Sequence, residues 1–252
     1  MDDSLPLSIV LPCYNEAGNL PKIYAVLSEI LTHQPGVEVL LVNNGSTDRS
    51  AAVFAELQAT HTLPIRVVEI AQNQGYGHGI LTGVRAARGE FIAWSHADLQ
   101  TDPRDILAAY EKLLQSAHPE KTVVKGRRKN RPLVDEFFTA GMAWLSSAAL
   151  GQWLHDINAQ PKLFPRSFVP LLDHAPTDFS LDLFFLYEAK TRGYTVLEQE
   201  VVFGKREHGE AKGGGTMKGK VKLIKRTLAY IFALRRTLKT SHGNRRTSHQ
   251  HH

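Results

Sequence analysis

The stretch FIAWSHADLQTDP, residues 91–103, begins as an apolar run and continues with polar side chains at every second position. The apolar part is typical of a buried strand, and Pro103 is typical of the first turn of a helix. In an extended backbone, side chains two residues apart point to the same side, so we expect His96, Asp98 and Gln100 to converge beyond the end of the strand. The stretch therefore predicts a strand, a polar site and a helix, in that order.

The same order of strand, loop and helix recurs along the first half of the chain. Short runs of apolar, often β-branched residues are each followed by a polar loop and a helical pattern. The runs are apolar throughout, which is typical of parallel strands covered on both faces by crossover helices. We therefore expect an α/β fold with a mostly parallel sheet flanked by helices. The expected strands lie at residues 7–12, 37–44, 65–70, 90–97, 122–127 and 195–203, and the expected later helices at about 79–87, 103–116, 134–150 and 181–192.

The composition is that of an ordinary globular protein. With 252 residues, 42% of them hydrophobic and 22% charged, the chain can bury the core of one α/β domain with a modest extension. The single cysteine, Cys13, excludes an intramolecular disulfide, and no run approaches the roughly 18 apolar residues of a membrane span. The first residues, MDDSLPLSIV, lack the features of a signal peptide. We therefore expect a cytoplasmic protein whose contact with a membrane is peripheral.

Polar residues follow each of the first four predicted strands. Because parallel strands present their carboxyl ends at one edge of a sheet, we expect these residues to form one ligand site. Two segments also have simpler interpretations, since Ser46 or Thr47 could cap the next helix and the loop at 72–79 could be a flexible glycine-rich turn. The polar set comprises Tyr14, Asn15, Glu16, Asn43, Asn44, Gly45, Ser46, Gln72, Asn73, Gly75, Gly77, His96, Asp98 and Gln100.

The last three members of this set offer an imidazole, a carboxylate and an amide oxygen. Such donors suit Mn²⁺ or Mg²⁺ and leave coordination positions for a diphosphate. His96, Asp98 and Gln100 are therefore predicted to hold a metal that bridges to a nucleotide diphosphate. The alternative is that Asp98 and Asp102 only precede and cap the following helix.

Five stretches together resemble family 2 glycosyltransferases with the GT-A fold, most closely the dolichyl-phosphate mannosyltransferase-like branch. They are IVLPCYNEAGNL, LVNNGSTDRS, NQGYGHGILTGVRAARGEFIAWSHADLQTDP, VVKGRR and REHGEAKGG, and the similarity covers about residues 5–215. The resemblance implies an inverting transfer of a sugar from a nucleotide-diphosphate donor. It also implies that the acceptor is often a polyprenyl phosphate at the cytoplasmic face of a membrane.

The resemblance further implies roles for single residues. Asn44 stands where the family usually has the second acidic residue of its DDGS motif, and His96 replaces the first aspartate of the usual DAD motif. These changes bear on the identity of the donor and on the preferred metal, because an amide both donates and accepts and histidine is a good ligand of Mn²⁺. The expected nucleotide-sugar-binding residues are Pro12, Tyr14, Glu16, Asn43, Asn44, Gly45, Ser46, Asn73, Gly75, Gly79, Ala97 and Asp98.

The acceptor decides what else the site needs. A phosphate is already anionic and needs only cations to hold it, whereas a hydroxyl needs a base. Asp182, the sole carboxylate in FSLDLFF, is the expected base, although a supporting role at the helix start is the alternative. Lys162 lies in the place of the arginine in the family's usual G-F-R stretch. The expected phosphate-binding residues are Arg127, Arg128, Arg131, Lys162, Arg206 and Lys212, unless the arginines form a solvated loop, and the expected catalytic residues are Asp98, Asp182, Arg127 and Lys162.

Two other classes of protein are alternatives. A nucleotidylyltransferase would share the sheet and the metal site, but no glycine-rich, Lys- or Arg-bearing signature follows the first strand. A nucleic-acid-binding module would explain the net charge of +5, but the basic region has neither a known reader motif nor interleaved aromatic residues. We therefore expect no nucleic-acid partner.

The basic excess lies toward the end of the chain, where residues 216–239 predict an amphipathic helix. One stripe is apolar and another carries Lys and Arg, a pattern typical of a helix in a lipid interface. The alternatives are packing on the protein's own core, on a second subunit or on a membrane-anchored partner protein. Residues 206–215 are expected to form a mobile lid over the site, with an interdomain linker as the alternative. The expected organisation is a GT-A domain at 1–215, the basic helix at 216–240 and a disordered tail at 241–252.

Overall fold

The computed structural model describes most of the chain up to residue 204. The described residues are 5–34, 36–60, 63–129, 141, 144–145, 147–148, 150–202, 204, 225 and 228–232. The chain divides into two compact units, the first made of residues 1–132 and 158–209 and the second of 133–157 and 210–252. All the elements named below belong to the first unit. Among the described residues, no helix is long and apolar enough to cross a membrane.

Seven strands of the first unit form one sheet in the order β3-β2-β1-β4-β6-β5-β7. They are β1 (Leu7–Cys13), β2 (Val37–Asn44), β3 (Ile65–Ile70), β4 (Phe91–Trp94), β5 (Thr122–Lys129), β6 (Lys162–Pro165) and β7 (Thr195–Val202). Only β6 runs antiparallel to its neighbours, so the other six strands share one direction. The predicted mostly parallel sheet is confirmed, and six carboxyl ends lie at one edge.

Helices cover both faces of the sheet. They are α1 (Leu20–His33), α2 (Ser50–Thr60), α3 (Tyr76–Ala86), α4 (Arg104–Leu114) and α5 (Leu181–Thr191). On one face, Ile9 and Leu11 of β1 join the main core cluster with residues of α1 and α4. On the other face, Val10 lies against Gly83 of α3, where an added Cβ would be 2.4 Å from its Cγ1. Both faces of β1 are therefore buried, which explains its unbroken apolar run.

Two boundaries differ by three residues from the sequence prediction, and one strand was not predicted. The helix α3 begins at Tyr76, three residues before the expected start, and β4 ends at Trp94 rather than at residue 97. The strand β6 was not predicted, because four residues that begin with Lys162 carry no strand pattern of their own. It forms by pairing with β4 and β5 on either side.

A buried carboxylate holds the amino-terminal edge of the sheet together. Glu38 accepts hydrogen bonds from the Ser8 hydroxyl at 2.6 Å and from the backbone N–H of Arg88, and it pairs with the Arg66 guanidinium at 3.2 Å. Burial alone would raise the pKa of Glu38, but these hydrogen bonds and the charges of Arg66 and Arg88 hold the pKa below its ordinary value. Glu38 is therefore a stabilising group far from the carboxyl ends of the strands.

Several predictions concern residues that the structure does not describe. Arg131, Arg206, Lys212, the lid at 206–215 and the tail at 241–252 lie outside the described residues. Within the basic segment at 216–240, residues 225 and 228–232 are helical, and residues 141, 144–145, 147–148 and 150 are helical within the segment predicted at 134–150. The proposed domain boundaries remain a prediction.

Candidate active site

The loops after β1 and β2 are joined by hydrogen bonds at the carboxyl edge. The Asn15 backbone N–H donates to the Ser46 hydroxyl at 3.1 Å, and the Thr47 N–H donates to the Asn15 side-chain oxygen at 2.8 Å. The simpler interpretation, in which Ser46 or Thr47 only caps α2, is therefore wrong. The N–H of Ser50 donates instead to the Asp48 carboxylate at 2.9 Å, where the helix begins. Ser46 and Thr47 serve to fix one strand-end loop on the other.

The two asparagines at the end of β2 are buried and face different partners. Asn43 donates its amide to the Glu69 carboxylate at 2.8 Å, and Asn44 donates to the Gly75 carbonyl at 3.0 Å. The side-chain oxygen of Asn44 is buried without a hydrogen-bond partner among the described residues. An added Cβ at Gly79 would lie 2.8 Å from the Asn44 amide nitrogen, so glycine is needed there. Asn44 thus offers a buried acceptor at the carboxyl edge.

The glycine-rich loop before α3 packs against the segment that precedes α5. Gly75 has φ of +118°, and an added Cβ would lie 2.6 Å from the Thr177 carbonyl oxygen. Gly77 is equally close to this segment. The backbone N–H of His78 donates to the Thr177 carbonyl at 2.9 Å and so fixes the first turn of α3 on the same segment. The loop is therefore packed in place by its glycines rather than merely flexible.

A buried polar network joins this loop to α5. The Asp182 carboxylate pairs with the Lys162 ammonium at 3.2 Å, accepts from the Gln160 side-chain amide at 2.9 Å and accepts from the Tyr76 hydroxyl at 3.2 Å. Lys162 also donates to the Ala159 carbonyl at 2.6 Å. Lys162 is fully buried, and Gln160 and Asp182 are each only 2% exposed. Loss of water around its hydroxyl, together with the neighbouring carboxylate, raises the pKa of Tyr76 well above its usual range.

Tyr76 and Gln160 were not singled out from the sequence. Tyr76 stacks on Phe179 with ring centroids 4.7 Å apart, and its ring lies 5.7 Å from that of His96. Gln160 donates its amide to both Tyr76 and Asp182, and its side-chain oxygen is buried without a partner among the described residues. A tyrosine within the glycine-rich loop was the one visible signal. Tyr76 therefore links the end of β4 to the buried network.

The end of β4 is bent rather than extended. Leu99 has φ of +55°, and the Asp98 carboxylate accepts from the backbone N–H of Gln100 at 3.1 Å. The prediction that extended geometry makes His96, Asp98 and Gln100 converge is therefore wrong in its backbone premise, although all three follow β4 closely. Asp102 accepts from the N–H of Arg104, the first residue of α4, at 2.8 Å, which is close to the alternative interpretation for this residue.

A metal ion would have few charged protein ligands at this edge. Among the described residues, no three His, Cys, Asp or Glu side chains are grouped to hold a metal ion. His96 and the 5% exposed Asp98 are donors of the right kind, and Gln100 uses its amide nitrogen to bind the Gly204 carbonyl at 3.3 Å. The amide oxygen of Gln100 is then the atom suited to a cation. The donor set fits a cation that takes its remaining ligands from a diphosphate.

The predicted cations do not form one cluster in the described residues. Arg127 is half exposed and lies 3.8 Å from Glu198, whereas Arg128 is on the opposite face of β5. Lys162 is paired in register with Lys125, a buried lysine that the sequence analysis missed although it interrupts an apolar strand. Lys125 pairs with Glu198 at 2.9 Å. Two buried lysines therefore lie side by side, each with its own carboxylate.

The remaining predicted donor residues lie close to these loops. Pro12 and Tyr14 are partly exposed at the end of β1, and Glu16 accepts from the side-chain amide of Asn19. An added Cβ at Gly45 would lie 2.3 Å from the backbone nitrogen of Asn73. Ala97 is 3% exposed and belongs to the main core cluster. The structure thus gathers the strand-end segments at one edge, and the roles of their residues remain predictions.

The sheet topology, with its polar carboxyl edge, is that of the GT-A fold. Residues 8–156 match the model of the family described as Glycosyl transferase family 2. An uncharacterized glycosyltransferase of Mycobacterium tuberculosis is 30% identical over an alignment of 224 residues that covers 85% of this chain and 93% of the relative. The chain belongs to glycosyltransferase family 2, and the predicted family is confirmed.

Other relatives are longer than this chain. A dodecaprenyl-phosphate galacturonate synthase of Rhizobium johnstonii is 30% identical over an alignment of 172 residues that covers 66% of this chain and 49% of the relative. An undecaprenyl-phosphate 4-deoxy-4-formamido-L-arabinose transferase of Proteus mirabilis is 28% identical over 82% of this chain and 62% of the relative. The chain therefore spans about half the length of the Rhizobium relative and about three fifths of the length of the Proteus relative.

Solved structures share the fold at lower identity. A mannosyltransferase from Pyrobaculum calidifontis, in complex with GDP-Man and Mn²⁺, has a TM-score of 0.60 at 23% identity, over 82% of this chain and 59% of that one. A second structure is that of glucosyl-3-phosphoglycerate synthase from Mycobacterium tuberculosis in complex with Mn²⁺, UDP and phosphoglyceric acid. It has a TM-score of 0.69 at 18% identity, and the match covers 91% of this chain and 78% of that one. Both likenesses confirm the predicted fold class.

Proposed function

We propose that the protein transfers a sugar from a nucleotide-diphosphate sugar to a polyprenyl phosphate at the cytoplasmic face of a membrane. A phosphate oxygen of the acceptor attacks the anomeric carbon, the bond from that carbon to the diphosphate breaks, and the nucleoside diphosphate leaves with the electron pair. A direct displacement of this kind inverts the anomeric centre. The names of the Rhizobium and Proteus relatives, which specify polyprenyl-phosphate acceptors, support the acceptor class.

The observation that carries this proposal is the environment of Asp182. Three donors already occupy its carboxylate, and a carboxylate offers about four acceptor sites in all. With 2% of its surface exposed, it is poorly placed to take a proton from an incoming hydroxyl. An acceptor that arrives as an anion needs no such base. The geometry therefore favours a phosphate acceptor over a hydroxyl acceptor.

The buried pair has a different use in this proposal. Asp182 holds the ammonium of Lys162 in the interior, next to Lys125 on the neighbouring strand. Each of these ammonium groups is offset by its own carboxylate, so Arg127 or Arg128 of β5 would supply the positive charge that holds an anionic acceptor, after a change of partner. Lys162 and Asp182 would then have a structural role as a fixed ion pair. Binding of the acceptor phosphate would align its attacking oxygen with the anomeric carbon.

A divalent cation is part of the proposal. His96, Asp98 and the amide oxygen of Gln100 would hold it, and Mn²⁺ is bound in both solved structures named above. When bound, the cation would offset the charge that develops on the departing diphosphate. Asn43, Asn44 and Ser46 would contact the donor at the neighbouring strand ends. Asp98→Asn should abolish the gain in nucleotide-sugar affinity that Mn²⁺ confers, measured by calorimetry, and an unchanged gain would exclude this metal site.

The acceptor class can be tested with the full chain and a panel of UDP- and GDP-sugars. We expect transfer to undecaprenyl phosphate and none to the matching polyprenol, which differs only by the phosphate. Nuclear magnetic resonance of the product should show an anomeric configuration opposite to that of the donor. Transfer to a hydroxyl acceptor and none to the phosphate would overturn the proposal and restore Asp182 as the base.

A further inference from the structure

An uncharged segment of the second unit presents an apolar face to solvent. Residues 137–154 contain no Asp, Glu, Lys or Arg. Within the helical part, Gly141, Trp144, Leu145 and Ala148 are all exposed, and their spacing places them on one face of a helix. Trp144 is 64% exposed, Leu145 is 40% exposed, and Trp153 shortly afterwards is 63% exposed. Surface helices normally present polar residues to water, so this face is suited to an apolar environment.

The same unit contains the basic segment of the chain. Residues 216–239 contain eight Lys and Arg residues and no Asp or Glu. Of the few residues described there, Lys225 is exposed and Phe232 is 57% exposed. Exposed apolar rings and a basic stretch without acidic residues therefore occur in one compact unit.

We propose that Trp144, Leu145 and Trp153 form a docking surface that enters the headgroup region of an anionic lipid bilayer. Tryptophan favours this region because its ring is apolar while its N–H remains hydrated or bonded to a headgroup. The eight cations complement anionic lipids, and each adds to the binding. They also oppose self-association, because a second copy would bring like charges together. This inference rests on the proposed function, since a bilayer is where a polyprenyl phosphate acceptor resides.

The test uses sedimentation of the full chain with phosphatidylcholine vesicles, with and without phosphatidylglycerol, at physiological salt. Trp144→Ser combined with Trp153→Ser should weaken binding to the anionic vesicles by about tenfold or more. Leu114→Ser is the matched control, because Leu114 is a 47% exposed apolar residue of α4 in the first unit, and it should bind like the wild type. Equal binding by the double variant and the wild type would overturn the proposal.

Fluorescence gives a second readout that a folding defect would not imitate. The chain has three tryptophans, and Trp94 is fully buried, so lipids with brominated acyl chains should quench only the emission of Trp144 and Trp153. Absence of quenching would overturn the docking surface. A dimer that sediments in the wild type and is lost in the double variant would assign the surface to a second copy instead.

Activity separates this inference from the proposed function. The double variant should keep transfer to a short, water-soluble polyprenyl phosphate and lose transfer to a long-chain acceptor embedded in vesicles. Equal loss with both acceptors would overturn the docking role. Absence of transfer by the wild type to either acceptor would count against the proposed function alone, because vesicle binding and quenching are measured without turnover.

Discussion

Removal of one partner of the buried Lys162–Asp182 pair should destabilise the protein strongly. The two side chains are 0% and 3% exposed and lie 3.2 Å apart, so Lys162→Met leaves a carboxylate without its counter-charge in the interior. Breaking a buried pair in this way costs about 3–5 kcal/mol, and the hydrogen bonds that Tyr76 and Gln160 still donate favour the lower end of that range. Urea denaturation, followed by far-ultraviolet circular dichroism, measures the loss in free energy of unfolding.

The double variant Lys162→Met, Asp182→Asn distinguishes a charge effect from a packing effect. Removing the second charge should recover at least about 1 kcal/mol relative to Lys162→Met alone, because no uncompensated ion then remains. Lys129→Met is the matched control, since its pair with Glu200 is half exposed and screened by solvent, and the midpoint should hardly change. A loss below about 1 kcal/mol for Lys162→Met, or no recovery in the double variant, would refute the reasoning.

Three further perturbations test other parts of the structure. Tyr76→Phe removes one donor to the buried carboxylate and should lower kcat/KM for the acceptor about tenfold while the KM of the donor stays constant, in a steady-state assay that varies each substrate in turn. Glu38→Gln should lower the free energy of unfolding at neutral pH by about 1.5–3 kcal/mol. Because the pKa of Glu38 is depressed, its contribution is present above the ordinary value of 4.5 and is lost as pH falls through the folded value, so denaturation midpoints of variant and wild type should converge in acid. Gly45→Ala should lower Tm more than Gly193→Ala, since both positions have positive φ but only Gly45 would place a Cβ 2.3 Å from the Asn73 nitrogen, and equal losses would contradict the steric argument.

The sequence predicted the strands that depend on local pattern. β1, β2 and β3 were found within a residue of their expected bounds, because strands buried on both faces must be apolar along their whole length. The gathering of polar residues after these strands followed from the shared direction of parallel strands. The sequence alone therefore places Asn43, Asn44 and Gly45 at the edge of the sheet, although their roles in binding remain predictions.

Tertiary structure alone decided the buried centre of the candidate site. Tyr76 and Asp182 are 106 residues apart in sequence, and Gln160 and Tyr76 are 84 apart, so no local spacing relates them. Lys162 reaches Asp182 because β6 inserts antiparallel between β4 and β5, a pairing that a four-residue strand cannot specify by itself. The local sequence determines which backbone conformation a segment prefers and which face of a helix or strand is apolar. Which ionised groups meet in the interior depends on the packing of distant elements, since burying each charge is favourable only when its partner arrives with it.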